Sequence, residues 1–307
     1  MNILVTGANG QLGTELRNLA ANGKDRWIFS DVSQVPGLET LSLDVSDLDT
    51  LRLLSESESV DLFINCASYS DVDKAESDQS LADSINHLAA ASLAKVSFER
   101  GAFLIHISSD YVFHGDSSVP YKEDDETDPL GVYGVTKLAG ERAIENSGCS
   151  YLILRTAWLF SPYGHNFVKT ILELSAERPN LRVVFDQIGS PTYAADLAKF
   201  ICDVVDRRQF IDGRIYHITD EGAISWYDFA KAISEIAGGY DVLAGKARRH
   251  CDILPCHSED YPSAARRPHY SVLDKSLVKR DFGVTLPYWR DSLLKCIDRI
   301  FGMREKA

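Results

Sequence analysis

Short, nearly continuous apolar runs alternate with stretches of helical periodicity through most of this chain. The first run, Asn2-Ile-Leu-Val-Thr6, passes through Gly7-Ala-Asn-Gly10-Gln-Leu-Gly13 into a helical pattern carried by Leu16, Leu19 and Ala20. Trp27–Ser30 reads as a second strand ending at Asp31. Leu41–Leu43 precedes Asp44 and Val45, a helix is expected over 47–55, and Val60–Cys66 reads as a strand. A short helix from Asp71 to Glu76, a longer one through Asn86 and Leu93 to Arg100, and a strand Ala102–Ile107 continue the rhythm. Beyond a loop from Phe113 to Asp128 come a helix over 137–145, a strand Tyr151–Arg155, a helix over 166–176 and the run Val183–Phe185. Asp186–Thr192 is turn-rich, and helix 194–207, strand Arg214–Thr219 and helix 226–237 follow. The last 70 or so residues lose the alternation, with Pro255, Pro262, Pro268 and Pro287 marking loops.

Strands that are apolar on both faces, separated by helices, call for a parallel sheet covered on both sides. The expected fold class is therefore α/β, a Rossmann-type doubly wound sheet with a smaller α/β substrate-binding lobe. Residues 1–156 form the nucleotide-binding part, with 190–220 returning to it. Residues 157–189 and 221–307 form the lobe.

The chain has 307 residues, enough for a large core, and a formal net charge of −13. That balance argues against nucleic acid as a partner, because there is no basic surplus to neutralise phosphates. No apolar run approaches bilayer length, and the start of the chain reads as a buried strand and not a signal peptide, so no membrane association is expected. Six scattered cysteines show no disulfide spacing and suit a cytoplasmic protein. His250-Cys251 and Cys256-His257 are the one cluster with ligand-type residues. The intervening Ile-Leu-Pro reads as strand or loop, and no metal is expected.

The chemistry begins at Gly7, Gly10 and Gly13. Between a strand and a helix, such glycines make a tight turn, let backbone approach a pyrophosphate and pack helix on strand, while the helix N-terminus offers free N–H groups. Asp31, about 20 residues further on, is placed to accept from the adenosine ribose hydroxyls, and no Arg follows it in Val32-Ser-Gln-Val to take a 2′-phosphate. The cofactor is thus NADH or NADPH, leaning to NADH. The turn Ala67–Ser70 falls at the sheet edge that faces such a ligand. Tyr133 and Lys137 lie four apart and share a helix face. An ammonium beside a phenol favours the phenolate, lowering its pKa into a range useful for proton transfer. The acidic run Glu123-Asp-Asp-Glu126 reads as a solvated face.

Together, the glycine turn, the Ser109 strand end and the Tyr133/Lys137 pair resemble the extended short-chain dehydrogenase/reductases. Ser108–Phe113, Val132–Glu141, Arg155-Thr-Ala-Trp158, Asp186–Thr192 and Ala265-Arg-Arg-Pro268 resemble more closely the dTDP-4-dehydrorhamnose reductase family, along essentially the whole chain. That resemblance implies NAD(P)H-dependent reduction of the 4-keto group of a dTDP-sugar to give dTDP-L-rhamnose. It makes Tyr133 the proton donor, Lys137 the group that lowers its pKa and holds the nicotinamide ribose, and Ser109 the hydroxyl that polarises the keto oxygen. It puts Gly10, Gln11, Leu12, Asp31, Asp44, Val45, Ser68, Tyr69 and Ser70 against the cofactor. Asp110 and Trp158 fall where the nucleotide sugar is touched, and Arg266 and Arg267 are candidates for its diphosphate. Some relatives dimerise, so a homodimer is compatible with the resemblance. Two rivals stay open. One is another nucleotide-sugar epimerase, dehydratase or reductase of this fold, although Asp110-Tyr111 after Ser109 lacks the Asp-Glu pair of a dehydratase. The other is a non-catalytic subunit similar to the regulatory partner of methionine adenosyltransferase.

Overall fold

The computed structural model describes residues 1–20, 24–243 and 251–304. Strand β1 (Asn2–Thr6), helix α1 (Gln11–Ala20), β2 (Arg26–Asp31) and β3 (Leu41–Ser42) open the chain, followed by α2 (Leu48–Ser57) and β4 (Leu62–Asn65). Asp47 caps α2 by accepting from the Thr50 N–H, satisfying one of the donors that a helix start leaves free. Next come α3 (Val72–Ala75), α4 (Gln79–Asp83), a π-helical turn (Ser84–Leu88), α5 (Ala89–Arg100) and β5 (Phe103–Ser109). Helix α6 (Val132–Glu145), β6 (Ser150–Thr156) and, after an excursion, α8 (Ala194–Asp206) and β11 (Arg214–His217) complete the large half. The excursion holds β7 (Leu159–Phe160), α7 (Phe167–Glu177), β8 (Asn180–Val184), β9 (Ile188–Gly189) and β10 (Thr192–Tyr193).

The main sheet has seven strands in the order β11-β6-β5-β4-β1-β2-β3, and every pairing is parallel. Strand order reverses between β1 and β4. Their carboxyl ends, Thr6 and Asn65, open the crevice where open α/β sheets take ligands. Apolar side chains explain the strand positions: Ile3, Leu4, Val5, Leu62, Phe63 and Ile64 are all fully buried. One core layer packs α1 and α8 on the sheet, and the other packs α2 and α5 on its opposite face.

The smaller lobe joins α7 and β8 to β12 (Ile224–Ser225), α9 (Trp226–Leu243) and β13 (Asp252–Cys256). The expected strand or loop at Cys256 is thus a strand paired with β8. Cys251 and Cys256 are buried in this lobe, and His250 lies outside the described residues. Among the described residues, no group of three or more His, Cys, Asp or Glu side chains could hold a metal ion. Among the described residues, no helix is long and apolar enough to cross a membrane.

Two helices sit in the tail where the sequence shows no rhythm, α10 (Ser276–Phe282) and α11 (Trp289–Arg304). Helix α10 lies in the stretch assigned to the smaller lobe, yet its Phe282 packs on Phe200 and Tyr216 of the large half. Helix α11 packs Trp289, Leu293, Cys296 and Ile297 into the lobe core. Its Arg299 reaches back to Glu15 of α1, donating to both carboxylate oxygens at 2.9 and 3.1 Å, so the ends of the chain are strapped together.

Candidate active site

The glycine turn lies at the mouth of the crevice. Gly7 has φ +64°, a left-handed conformation, and a Cβ there would lie 2.6 Å from the Ala67 nitrogen beyond β4. At Gly13 a Cβ would fall 2.5 Å from the Ala8 Cα, so α1 can approach β1 this closely only without a side chain. Gly10 is exposed. The N–H groups of Gln11, Leu12 and Gly13 belong to the first turn of α1, which has no preceding helical carbonyls to bind. Bare backbone and unused donors together fit a dinucleotide pyrophosphate. Gln11 also spans the two halves, since its side-chain oxygen accepts from Asn166 at 3.0 Å.

Asp31 ends β2 beside this turn. Its carboxylate accepts the Asn9 N–H at 3.0 Å, the Ser33 N–H at 2.9 Å and the Ser33 hydroxyl at 2.7 Å. Asp44 is exposed just beyond β3 and accepts from the N–H and hydroxyl of Ser46, while Val45 is buried. Ser68, Tyr69 and Ser70 follow β4. Their loop is organised by Asn86, a buried amide that the sequence reading passes over. Its oxygen accepts from the Ser68 hydroxyl at 3.0 Å and the Tyr69 N–H at 2.9 Å. Its nitrogen donates to the Tyr69 carbonyl and the Thr136 hydroxyl, both at 3.1 Å. Asn86 sits in the π-helical turn, a local unwinding that re-aims one side chain. Its only trace in the sequence is a lone Asn within a helical window.

Ser109, Tyr133 and Lys137 converge at the end of β5. Helix α6 begins at Val132, earlier than the sequence indicates, so Tyr133 and Lys137 are both inside it. Gly134 makes room, because a Cβ there would lie 2.2 Å from the Tyr111 carbonyl oxygen. The Tyr133 ring meets that of Tyr111 edge-on, with centroids 5.5 Å apart. The Ser109 hydroxyl donates to Asp110 Oδ1 at 3.0 Å and is also within hydrogen-bonding reach of the Tyr133 phenol, as is Ser68. Lys137 is buried and donates to the Ile107 carbonyl at 2.6 Å.

Burial dominates the electrostatics of this cluster. It pushes the Tyr133 phenol up to about 12; bonds to Ser109 and Ser68 work against it, and the Asp110 charge adds to it. The expectation that Lys137 lowers this pKa is not met here, because the ammonium is turned onto the Ile107 carbonyl and the phenol is desolvated. Burial also brings Lys137 down to about 8, opposed by the charge of Glu141. Glu141 is itself locked to Arg155 by paired bonds of 2.9 and 2.7 Å beneath the site. Asp110 is raised to about 6 by burial, which outweighs the Ser271 and Ser109 hydroxyls.

The residues assigned to substrate lie across the crevice, and most hold protein partners. Trp158 has φ +47°, a strained backbone for a bulky residue, and stacks on Trp226 with centroids 3.5 Å apart. A Cβ at Gly189 would fall 2.5 Å from its ring, so Gly189 gives the indole its seat. Arg267 forms a forked ion pair with Asp73 of α3, at 3.1 and 2.6 Å, and also contacts Ser263. Burial raises the Asp73 carboxyl, but Arg267, the Ala265 N–H and Ser263 outweigh it and hold it at about 2. Arg266 is exposed beside it. Asp186 accepts the Ser258 N–H and hydroxyl, knitting the 186–192 segment into the lobe. Glu123 departs from the expected solvated face: it is half-buried and accepts the His217 N–H at 3.0 Å.

Comparison with known proteins agrees with this arrangement. The family described as RmlD substrate binding domain matches residues 1–301. The dTDP-4-dehydrorhamnose reductase of Burkholderia thailandensis is 38% identical over 305 residues, covering 97% of this chain and 98% of that protein. Its counterpart in Escherichia coli K12 is 37% identical, with 98% of each covered. A crystal structure of a dTDP-4-dehydrorhamnose reductase from Clostridium acetobutylicum superposes with a TM-score of 0.88 at 36% identity, over 98% of this chain and 99% of that one. One from Bacillus anthracis, in complex with NADP, gives 0.85 at 33% identity, over 97% and 99%. The chain belongs to the RmlD family, the family of the dTDP-4-dehydrorhamnose reductases.

Proposed function

We propose that the chain reduces the 4-keto group of dTDP-4-dehydro-β-L-rhamnose to give dTDP-L-rhamnose, with NADH or NADPH as reductant, in dTDP-rhamnose biosynthesis. The observation that carries this is the convergence of Ser109, Tyr133 and Lys137 beside the glycine turn, in a chain of this family. The large half, 1–156 with 190–220, takes the dinucleotide, and the lobe takes the sugar nucleotide. Free cysteines suit the cytoplasm, and a homodimer is the assembly this reading favours.

When bound, the nicotinamide supplies a hydride to the sugar C4. Tyr133 gives its phenolic proton to the C4 oxygen as negative charge develops there. The Ser109 hydroxyl donates to the same oxygen and polarises the carbonyl. Lys137 holds the nicotinamide ribose. Gly7, Gly10, Gln11, Leu12 and Gly13 hold the pyrophosphate. Asp31, Asp44, Val45 and Ser68–Ser70 frame the rest of the cofactor, with Asp31 on the ribose of NADH. On the substrate side Asp110 orients the sugar, Trp158 offers the edge of a braced indole pair, and Arg266 and Arg267 take the diphosphate.

The test mixes the 4-keto sugar nucleotide with NADH or NADPH, follows absorbance and identifies the product. One reduced cofactor consumed per dTDP-L-rhamnose formed is expected; turnover without net consumption would point to an epimerase. Tyr133→Phe should lower kcat by about 10²- to 10⁴-fold while dinucleotide binding stays within a few-fold. Undiminished turnover in that variant would sink the mechanism, and no turnover by the wild type would favour a non-catalytic subunit.

A further inference from the structure

The segment after β2 contains no arginine to receive a 2′-phosphate, but the fold brings one there from another element. Arg17 extends from α1 across β2, its guanidinium carbon 4.2 Å from the centroid of the Phe29 ring. One terminal nitrogen donates to the Glu39 carbonyl at 2.6 Å and the other to the Thr40 hydroxyl at 2.9 Å. Thr40 in turn donates to the Asn9 side-chain oxygen at 3.1 Å, and Asn9 is the residue whose backbone N–H binds Asp31. The arginine is therefore joined through two residues to the carboxylate that faces the adenosine ribose. Burial lowers the Arg17 pKa, and the charges of Glu39 and Asp31 oppose that shift. Its Nε is buried without a partner, so the resting pose leaves a donor unused.

Asp31 is less forbidding to a phosphate than the sequence indicates. A carboxylate offers about four lone-pair sites. Three are engaged by Asn9 and Ser33. One site remains for the ribose diol, and Arg17 offsets the negative charge.

We propose that Arg17 is a specificity-determining residue that admits the 2′-phosphate of NADPH, so that the adenosine end accepts both dinucleotides. The phosphate is received by the Arg17 fork, with the Ser33 and Thr40 hydroxyls alongside. Planar guanidinium forks suit phosphate oxygens. The inference rests on the cofactor reading above, and the rival role for Arg17 is structural, tying α1 to the 39–40 loop.

Direct titration of the full-length protein with NADPH and NADH separates these. Wild type, Arg17→Gln and Arg17→Lys are compared, with 2′,5′-ADP and 5′-AMP as competitors. The ratio of the NADPH to the NADH dissociation constant should rise by about ten- to hundredfold in Arg17→Gln, the effect of losing a charge-assisted hydrogen bond. Arg17→Lys should restore part of it. Wild type should bind 2′,5′-ADP more tightly than 5′-AMP, and Arg17→Gln should erase that difference. Equal weakening of both dinucleotides would overturn the proposal in favour of the structural role, as would wild-type indifference to the 2′-phosphate. Binding of neither dinucleotide by the wild type would instead bring down the cofactor reading itself, and this inference with it.

Discussion

The two sides of the crevice are built differently. On the dinucleotide side, space and backbone make the site. Glycines 7 and 13 remove side chains where Ala67 and Ala8 press in, and Asn86 pins the Ser68–Tyr69 loop from a fully buried position. At the glycine turn itself nothing has to let go before a ligand arrives. On the substrate side the same roles fall to side chains already engaged, Arg267 with Asp73 and Trp158 with Trp226. A site of the first kind is preorganised. A site of the second kind binds by exchanging protein partners for ligand, so its affinity is a difference between two sets of contacts.

Filling the dinucleotide side should have the largest effect. Gly13→Val should abolish dinucleotide binding and lower stability by several kcal/mol, since its Cβ would meet backbone and not a movable side chain. Binding and thermal unfolding check this, and near-wild-type affinity would mean the turn can relax. Gly189→Ala makes the matching intrusion on the second side, against an indole. It should raise the sugar-nucleotide KM about tenfold or more, leaving cofactor affinity within a few-fold. Loss of cofactor affinity would show that the two sides are not separable.

Two effects of intermediate size come from the buried charges. Asp110 is raised to about 6, so the folded state binds more protons than the unfolded state between pH 3.8 and 6. Its contribution to stability is therefore lost as pH rises through that window, and at neutral pH the buried charge is a cost. Asp110→Asn should be more stable than wild type at pH 7, by on the order of 1–3 kcal/mol. That gain should shrink towards pH 4, and its absence would place Asp110 in a wetter setting. Lys137 has the opposite sign. Its pKa falls to about 8 on folding, so the unfolded state binds the extra proton between pH 8 and 10.5. The stability of wild type relative to Lys137→Met should rise with pH across that window. Activity should instead decline above about pH 8 as the ammonium loses its charge.

The smallest effect is expected at the Arg267–Asp73 pair. If Arg267 must leave Asp73 to meet a diphosphate, Asp73→Asn should lower the sugar-nucleotide KM by about two- to tenfold, in keeping with a half-exposed ion pair. A higher KM would mean that Asp73 positions Arg267 for binding instead of competing for it.

The local pattern determined a good deal of this protein. Alternating apolar runs and helical periods suffice for the parallel sheet, because its central strands bury both faces and the covering helices only one. The glycine spacing, Asp31 and the Tyr133–Lys137 interval are equally local, since a turn, a strand end and one helical turn each fit within a few residues. Three-dimensional packing decided the rest. Helix α10 joins the large half and α11 the lobe because Phe282 and Trp289 find aromatic partners remote in sequence. Asn86 organises a loop 17 residues away, and Arg299 closes on Glu15 across 284. Arg17 approaches Asp31 through Thr40 and Asn9, which no reading of the segment after β2 could reveal. Charge state is decided there too. A lysine four residues from a tyrosine suggests a lowered phenol pKa, but desolvation sets the balance, and burial is a property of the folded whole.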